Sequence, residues 1–149
     1  MSKKKKRNQA HFDFEDGIAF VVHVDGGAFT EPPHYKFHDA YFSVVDDSGA
    51  LIHFEKNIGD VWSGIAEYRA IEWAIKNITE RPIKITSDCT IAMSWARKGK
   101  KKTPALDIIL PPLLQEGIIL EYQHGNKADI WNAEHHSPKP GIKFLGYIQ

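Results

Sequence analysis

Phe20-Val21-Val22-His23-Val24-Asp25-Gly26-Gly27-Ala28 is the stretch whose reading decides the fold. So dense an apolar run reads as a strand covered on both faces, deep inside a sheet. The strand is expected over 18–24 and ends on Asp25. Gly26 and Gly27 then let the backbone turn sharply and let another molecule come close. A buried strand that delivers an acid to its exposed end is a common way to place a catalytic or metal-binding group. Asp-Gly also marks ordinary turns, so the question is whether further acids reach the same place.

Outward from this strand, Pro32-Pro33 keeps 29–39 irregular. Two strands follow at 40–45 and 50–57, joined by Asp46-Asp47-Ser48-Gly49. Ser43, His53 and Glu55 alternate with apolar residues there, as in a hairpin with one wetter face. A helix is expected over 63–78, with Ser63 as its cap and Ile71, Ala74, Ile75 and Ile78 on its apolar stripe. Glu67 precedes Ala70, Ile71 and Ala74 by three, four and seven residues, which puts a carboxylate on the sheet-facing side. Some other group must satisfy it there.

A fourth strand at 82–88 again ends on an acid, Asp88, and a short helix runs on to Lys98. Residues 104–110 open an apolar-periodic helix that Pro111-Pro112 must kink or stop. A fifth strand at 118–123 leads through His124 to Asp129 at a helix start, and Ser137-Pro138 cuts that helix short. Phe144 and Tyr147 are placed to tuck the terminus back.

The chain of 149 residues, 42% hydrophobic and 26% charged, fits one soluble globular domain. We divide it into a basic, disordered tail over 1–16 and a folded domain over 17–149. Cys89 is the single cysteine and cannot form an internal disulfide, so a reducing cytoplasm is the simplest home. No apolar run approaches the roughly 18 residues that cross a membrane. The net charge of zero is unevenly spread, since five of the 19 basic residues lie in Lys3–Arg7 and leave 14 against 19 acidic ones. A second basic cluster, Arg97, Lys98, Lys100, Lys101 and Lys102, sits in this acidic body, and the asymmetry points to a polyanionic partner.

The order strand, hairpin, helix, strand, helix, strand implies an α/β domain with a five-stranded mixed sheet flanked by helices. Ligands gather at the carboxyl ends of such strands. Asp25 and Asp88 sit there, and Glu67 and Asp129 reach the same place from helix starts. Two unit charges about 4 Å apart repel by about 4 kcal/mol at an effective dielectric of 20, so four converging acids are costly without a cation. Oxygen ligands with no Cys or His cluster favour Mg²⁺ or Mn²⁺.

These fragments resemble the type 1 ribonuclease H family. The resemblance runs from about Ile18 to Ala133, carried by Val24-Asp25-Gly26-Gly27-Ala28, Ala66-Glu67-Tyr68-Arg69-Ala70, Thr86-Ser87-Asp88 and Asn126-Lys127-Ala128-Asp129. It implies an RNase H-like fold and a two-metal endonuclease that cuts the RNA strand of an RNA–DNA hybrid, leaving 5′-phosphate and 3′-hydroxyl ends. Asp25 would bridge two Mg²⁺ or Mn²⁺ ions, with Glu67, Asp88 and Asp129 completing their shells. Gly26, Gly27, Ser63 and the basic loop of Arg97, Lys98, Lys100, Lys101 and Lys102 would contact the duplex. His124 would serve product release. A monomer with no membrane association and no obligate protein partner is expected.

The chain departs from the family in three places. Where the family often carries Thr-Asn-Asn before its glutamate, this sequence has Trp62, Ser63 and Gly64. His124 lies only five residues before Asp129, and the last helix is short. Two other readings stay open: an RNase H-fold nuclease for a different duplex, and a non-catalytic nucleic-acid-binding module. Retention of all four acids argues against the second, because a pure binder gains nothing from acids that face phosphates. Trp62, Trp73, Trp95 and Trp131 are read chiefly as core.

Overall fold

The computed structural model describes residues 20–30 and 32–136, and the backbone of Lys143 and Phe144. The tail over 1–16, the expected strand start at Ile18, the Ser137-Pro138 stop and Tyr147 lie outside the described residues.

β1 (Phe20–Thr30), β2 (His38–Asp46) and β3 (Leu51–Lys56) form an antiparallel meander. α1 (Ser63–Asn77) then crosses to β4 (Ile83–Ser87), which pairs in parallel with β1. α2 (Thr90–Lys98) leads through a long loop to β5 (Ile118–Tyr122), parallel to β4, and α3 (Lys127–His135) follows. The sheet order is β3-β2-β1-β4-β5, and β6 (Lys143–Phe144) pairs with the far end of β1 off this path. The expected five-stranded mixed sheet is therefore present. The return of Phe144 is present too, opposite Phe29.

β1 is central, and its side chains alternate between two different environments. Val22 and Val24 enter the main core with Ile83 and Ile85 of β4 and with Ile71 and Ala74 of α1. His23 and Asp25 point the other way, toward the face on which α3 lies, and are equally buried. The apolar run is thus half core and half buried polar dock.

Three expectations need correction. First, β1 does not end at Asp25 but runs through Gly26 and Gly27 to Thr30. The glycines make no turn. A Cβ on Gly26 would lie 2.5 Å from the carbonyl carbon of Ala66 and the nitrogen of Glu67, so glycine is what lets α1 come down onto the strand. Ala28, Ala40 and Ala66 continue this close contact.

Second, Ser63 does not cap α1. Trp62 occupies the cap position without a side-chain hydrogen bond, and the Ser63 hydroxyl is buried with no partner among the described residues. The Trp62 ring lies over Gly64, where a Cβ would be 2.3 Å from it, so apolar packing replaces the polar cap. At the other end, the guanidinium of Arg81 donates to the carbonyls of Ile75 (3.0 Å) and Ile78 (2.7 Å) and closes the helix.

Third, no helix forms over 104–110. Leu110 instead exchanges backbone hydrogen bonds with Lys100, at 2.7 and 2.9 Å, and the Lys100 ammonium donates to the Leu106 carbonyl at 3.0 Å. Pro111 disfavours helical torsions at Leu110, and a segment this short cannot recover the cost of helix nucleation.

Candidate metal centre

The site follows from a difference in strand length. The last β1–β4 pair is His23 with Thr86, so β1 continues past the end of β4 and leaves a notch beside it. Asp25 enters the notch from β1, Asp88 from the residue just after β4, and Glu67 from α1. Each of these three offers a carboxylate oxygen within 4.8 Å of the others.

The chain fixes these groups individually. Glu67 Oε1 accepts the Gly26 N–H at 2.8 Å, and Oε2 accepts the Ser87 hydroxyl at 2.7 Å. Ser87 Oγ in turn accepts the Cys89 N–H at 3.1 Å. Asp25 Oδ2 accepts from Asn132 Nδ2 at 2.8 Å. Asp129 stands in the first turn of α3, where its N–H donates to Asn126 Oδ1 at 3.0 Å. Its own Oδ1 is buried with no hydrogen-bond partner among the described residues.

Burial raises all four acids, and mutual repulsion adds to it at Asp25, Glu67 and Asp129. Asp25 is raised well above the usual carboxylate range by burial, then by the charges of Glu67, Asp129 and Asp88. Burial and then Asp88 lift Glu67 to about 8, while burial and Asp88 lift Asp129 to about 6. Burial also raises Asp88, and the nearby His124 works against that rise in both Asp88 and Asp129. With nothing bound, such a cluster holds protons near neutral pH. A divalent cation removes that cost. Close-set carboxylate oxygens, together with the orphaned Oδ1 of Asp129, suit a hard cation.

The other expected site residues are placed less uniformly. Gly26, Gly27 and Ser63 are buried, and Gly26 serves the approach of α1. In the basic cluster, Arg97 donates to the Leu120 carbonyl at 2.9 Å, and Lys102 pairs with Asp107 at 3.2 Å. Lys98 and Lys101 are exposed. His124 is exposed in the turn between β5 and α3. Trp62, Trp73 and Trp95 are half-buried against the core, and Trp131 stacks on His135 at 3.9 Å.

Sequence reasoning passed over Asn126, Asn132 and His23. Asn126 carries the N-cap spacing to Asp129, three residues on, so its role was available as a signal. Asn132 follows Asp129 by three and shares its helix face. His23 precedes Asp25 by two, which puts both on one side of the strand.

This strand order, with helices on the sheet and acids at the end of its central strands, is an RNase H-like fold. No protein-family model matches the chain, and no curated protein matches it in sequence. Among solved structures it is similar to LC11-RNase H1 in complex with an RNA/DNA hybrid, at 15% identity over 70% of this chain and 84% of that one, with a TM-score of 0.44. LC11-RNase H1 was isolated from compost by a metagenomic approach. The chain is also similar to the PFV RNase H domain, at 17% identity over 72% and 80% of the two chains (TM-score 0.48). A third likeness is to the foamy viral protease-reverse transcriptase in complex with an RNA/DNA hybrid, at 20% identity over 83% of this chain and 19% of that one (TM-score 0.45).

Proposed function

We propose that the protein is a divalent-metal-dependent endoribonuclease acting on the RNA strand of RNA–DNA hybrids. The observation that carries this reading is the convergence of Asp25, Glu67 and Asp88 within 4.8 Å at the end of the central strands, beside a fourth acid with a buried unpaired oxygen. The choice of hybrid as substrate rests on the four sequence fragments that resemble type 1 ribonuclease H.

In this reading Asp25, Glu67, Asp88 and Asp129 hold two Mg²⁺ or Mn²⁺ ions. Bound there, the cations supply an activated water and charge stabilisation for the leaving 3′-oxygen. Asn132 keeps the Asp25 carboxylate turned, while Gly26 and Ser87 hold both oxygens of Glu67. Lys98 at the end of α2 and Lys101 in the loop after it are exposed and would meet the phosphates of the duplex. His124, whose charge acts on Asp88 and Asp129, would assist product departure.

The test is a panel of matched RNA–DNA, RNA–RNA and DNA–DNA duplexes incubated with Mg²⁺, Mn²⁺ or EDTA. Metal-dependent cutting confined to the RNA of the hybrid is the expected result. Cutting of another duplex would keep the metal site and change the substrate. Binding without cutting under any metal would leave a non-catalytic module.

A further inference from the structure

α3, which brings Asp129 to the notch, buries only Ala128 and Asn132 among its described residues and rests the half-buried Trp131 ring on Phe54. A continuous polar chain holds its first turn. Asp47, on the β2–β3 turn, lies 2.8 Å from His23 Nε2, and His23 Nδ1 lies 2.6 Å from Thr86 Oγ1. Asn126 Nδ2 donates to the same Thr86 oxygen at 3.0 Å, and Asn126 Oδ1 accepts the Asp129 N–H at 3.0 Å. The ring tautomer of His23 sets the direction of the bonds along this path. With the ring proton on Nε2, His23 donates to Asp47 and accepts the Thr86 hydroxyl, which leaves Thr86 Oγ1 free to accept from Asn126.

The chain is buried and anchored at both ends. His23 is 3% exposed, and Thr86 and Asn126 are 1% exposed. Asn126 Nδ2 also lies 3.1 Å from the carbonyls of Val24 and of Thr86 and shares its two hydrogens among the three acceptors, so it clips β1 to β4 one residue before Asp25 and two before Asp88. At the surface, Lys127 closes the loop by reaching the carbonyl and carboxylate of Asp47.

We propose that Thr86 is a positioning residue whose hydroxyl, between His23 and Asn126, sets the first turn of α3 and thereby the place of Asp129 relative to the other three acids. This rests on the reading of Asp129 as a metal ligand. With that tautomer the hydroxyl donates once and accepts once, and among the described residues it is the side-chain group that hydrogen-bonds both His23 and Asn126. Buried groups behind a metal ligand commonly change metal affinity or activity by about 10- to 100-fold when removed.

Two variants of the full-length protein separate hydrogen bonding from packing. Thr86→Val keeps the shape and loses both bonds, whereas Thr86→Ser keeps both bonds and loses a methyl group. Hydrogen exchange at the Asp129 amide is followed without cation, and Mn²⁺ alone is titrated into each protein. Thr86→Val is expected to lose protection at that amide and to bind Mn²⁺ about tenfold more weakly. Thr86→Ser retains both, and on a hybrid the valine variant loses kcat with little change in KM. A serine variant worse than the valine one assigns Thr86 to packing and overturns the inference. Equal Mn²⁺ affinity in the wild type and Thr86→Val overturns it alone, and a wild type that takes up no Mn²⁺ overturns the metal reading with it.

Discussion

Asn132 Nδ2 lies 2.8 Å from Asp25 Oδ2, tying the carboxylate of the central strand to α3 at a point where both residues are buried. The bond spans most of the chain in sequence and joins the two elements that carry the first and last acids of the site. Its removal affects two things at once. Asn132→Ala deprives Asp25 of its side-chain donor and leaves a small void, at an expected cost of about 1–3 kcal/mol in stability. Cation affinity should fall by about tenfold as Asp25 loses its fixed orientation. Urea melts and a Mn²⁺ titration measure the two effects separately.

The close approach of α1 gives a second prediction. A methyl group at position 26 meets the backbone of Ala66 and Glu67 at 2.5 Å, and backbone cannot swing aside as a side-chain tip can. Gly26→Ala should therefore cost about 1–3 kcal/mol, the range for overpacking a core. It should also displace Glu67, whose Oε1 accepts the Gly26 N–H. Gly27→Ala serves as the comparison, and thermal melts together with metal-dependent cleavage rank the two.

The pH dependence of stability should have an unusual sign. Glu67 has an ordinary value of 4.5 and is lifted to about 8 in the fold by burial and by Asp88. Between those values the folded chain keeps a proton that the unfolded chain has released, so the cation-free protein loses stability as pH rises from about 4.5 toward about 8. The rise of Asp129 to about 6 adds in the same direction over a lower window. A bound cation stabilises the ionised acids, so the Tm gain from Mg²⁺ should be larger at pH near 8 than at pH near 6, by the linkage of metal and protons. Melting curves with and without Mg²⁺ across this interval test the sign; a gain that shrinks toward alkaline pH would contradict it.

The basic residues at the end of α2 and in the loop after it should divide into structural and substrate-facing cations. Replacing Lys98 and Lys101 with Gln should leave stability nearly unchanged. The salt dependence of hybrid binding should become shallower by about 0.9 for each lysine that meets a phosphate. Arg97→Gln removes the donor to the Leu120 carbonyl and should lower stability instead. Equilibrium binding at several salt concentrations, beside urea melts, distinguishes the two classes.

Much of the fold is legible in the sequence because its cues are local. The apolar run at β1 and the stripe on α1 each state one element, and the four acids stand on, or just after, elements the sequence marks. What escaped is what depends on contacts between distant elements. Gly26 and Gly27 carry the mark of a turn, and only the nearness of Ala66 reveals Gly26 as a packing surface. Ser63 satisfies every local rule for a cap, yet the Trp62 ring takes the space over Gly64. Residues 104–110 have helical periodicity, but Lys100 claims the backbone of Leu110 and the carbonyl of Leu106. The polar dock under α3 was hidden for the same reason, because His23 lies inside an apolar run and its partners Asp47 and Thr86 come from other strands and turns.

Asp25→Asn tests the central claim most directly. The substitution keeps the shape of the side chain and a carbonyl oxygen for Asn132, while it removes a charge opposed by burial and by the other three acids. With Mg²⁺ or Mn²⁺, the wild-type protein is predicted to cut the RNA strand of a hybrid. The variant, folded and at least as stable without cation at pH near 8, is predicted to have lost that cutting. Hybrid cleavage that survives Asp25→Asn would contradict the account, because it would place the reacting centre somewhere other than the notch at the end of β4.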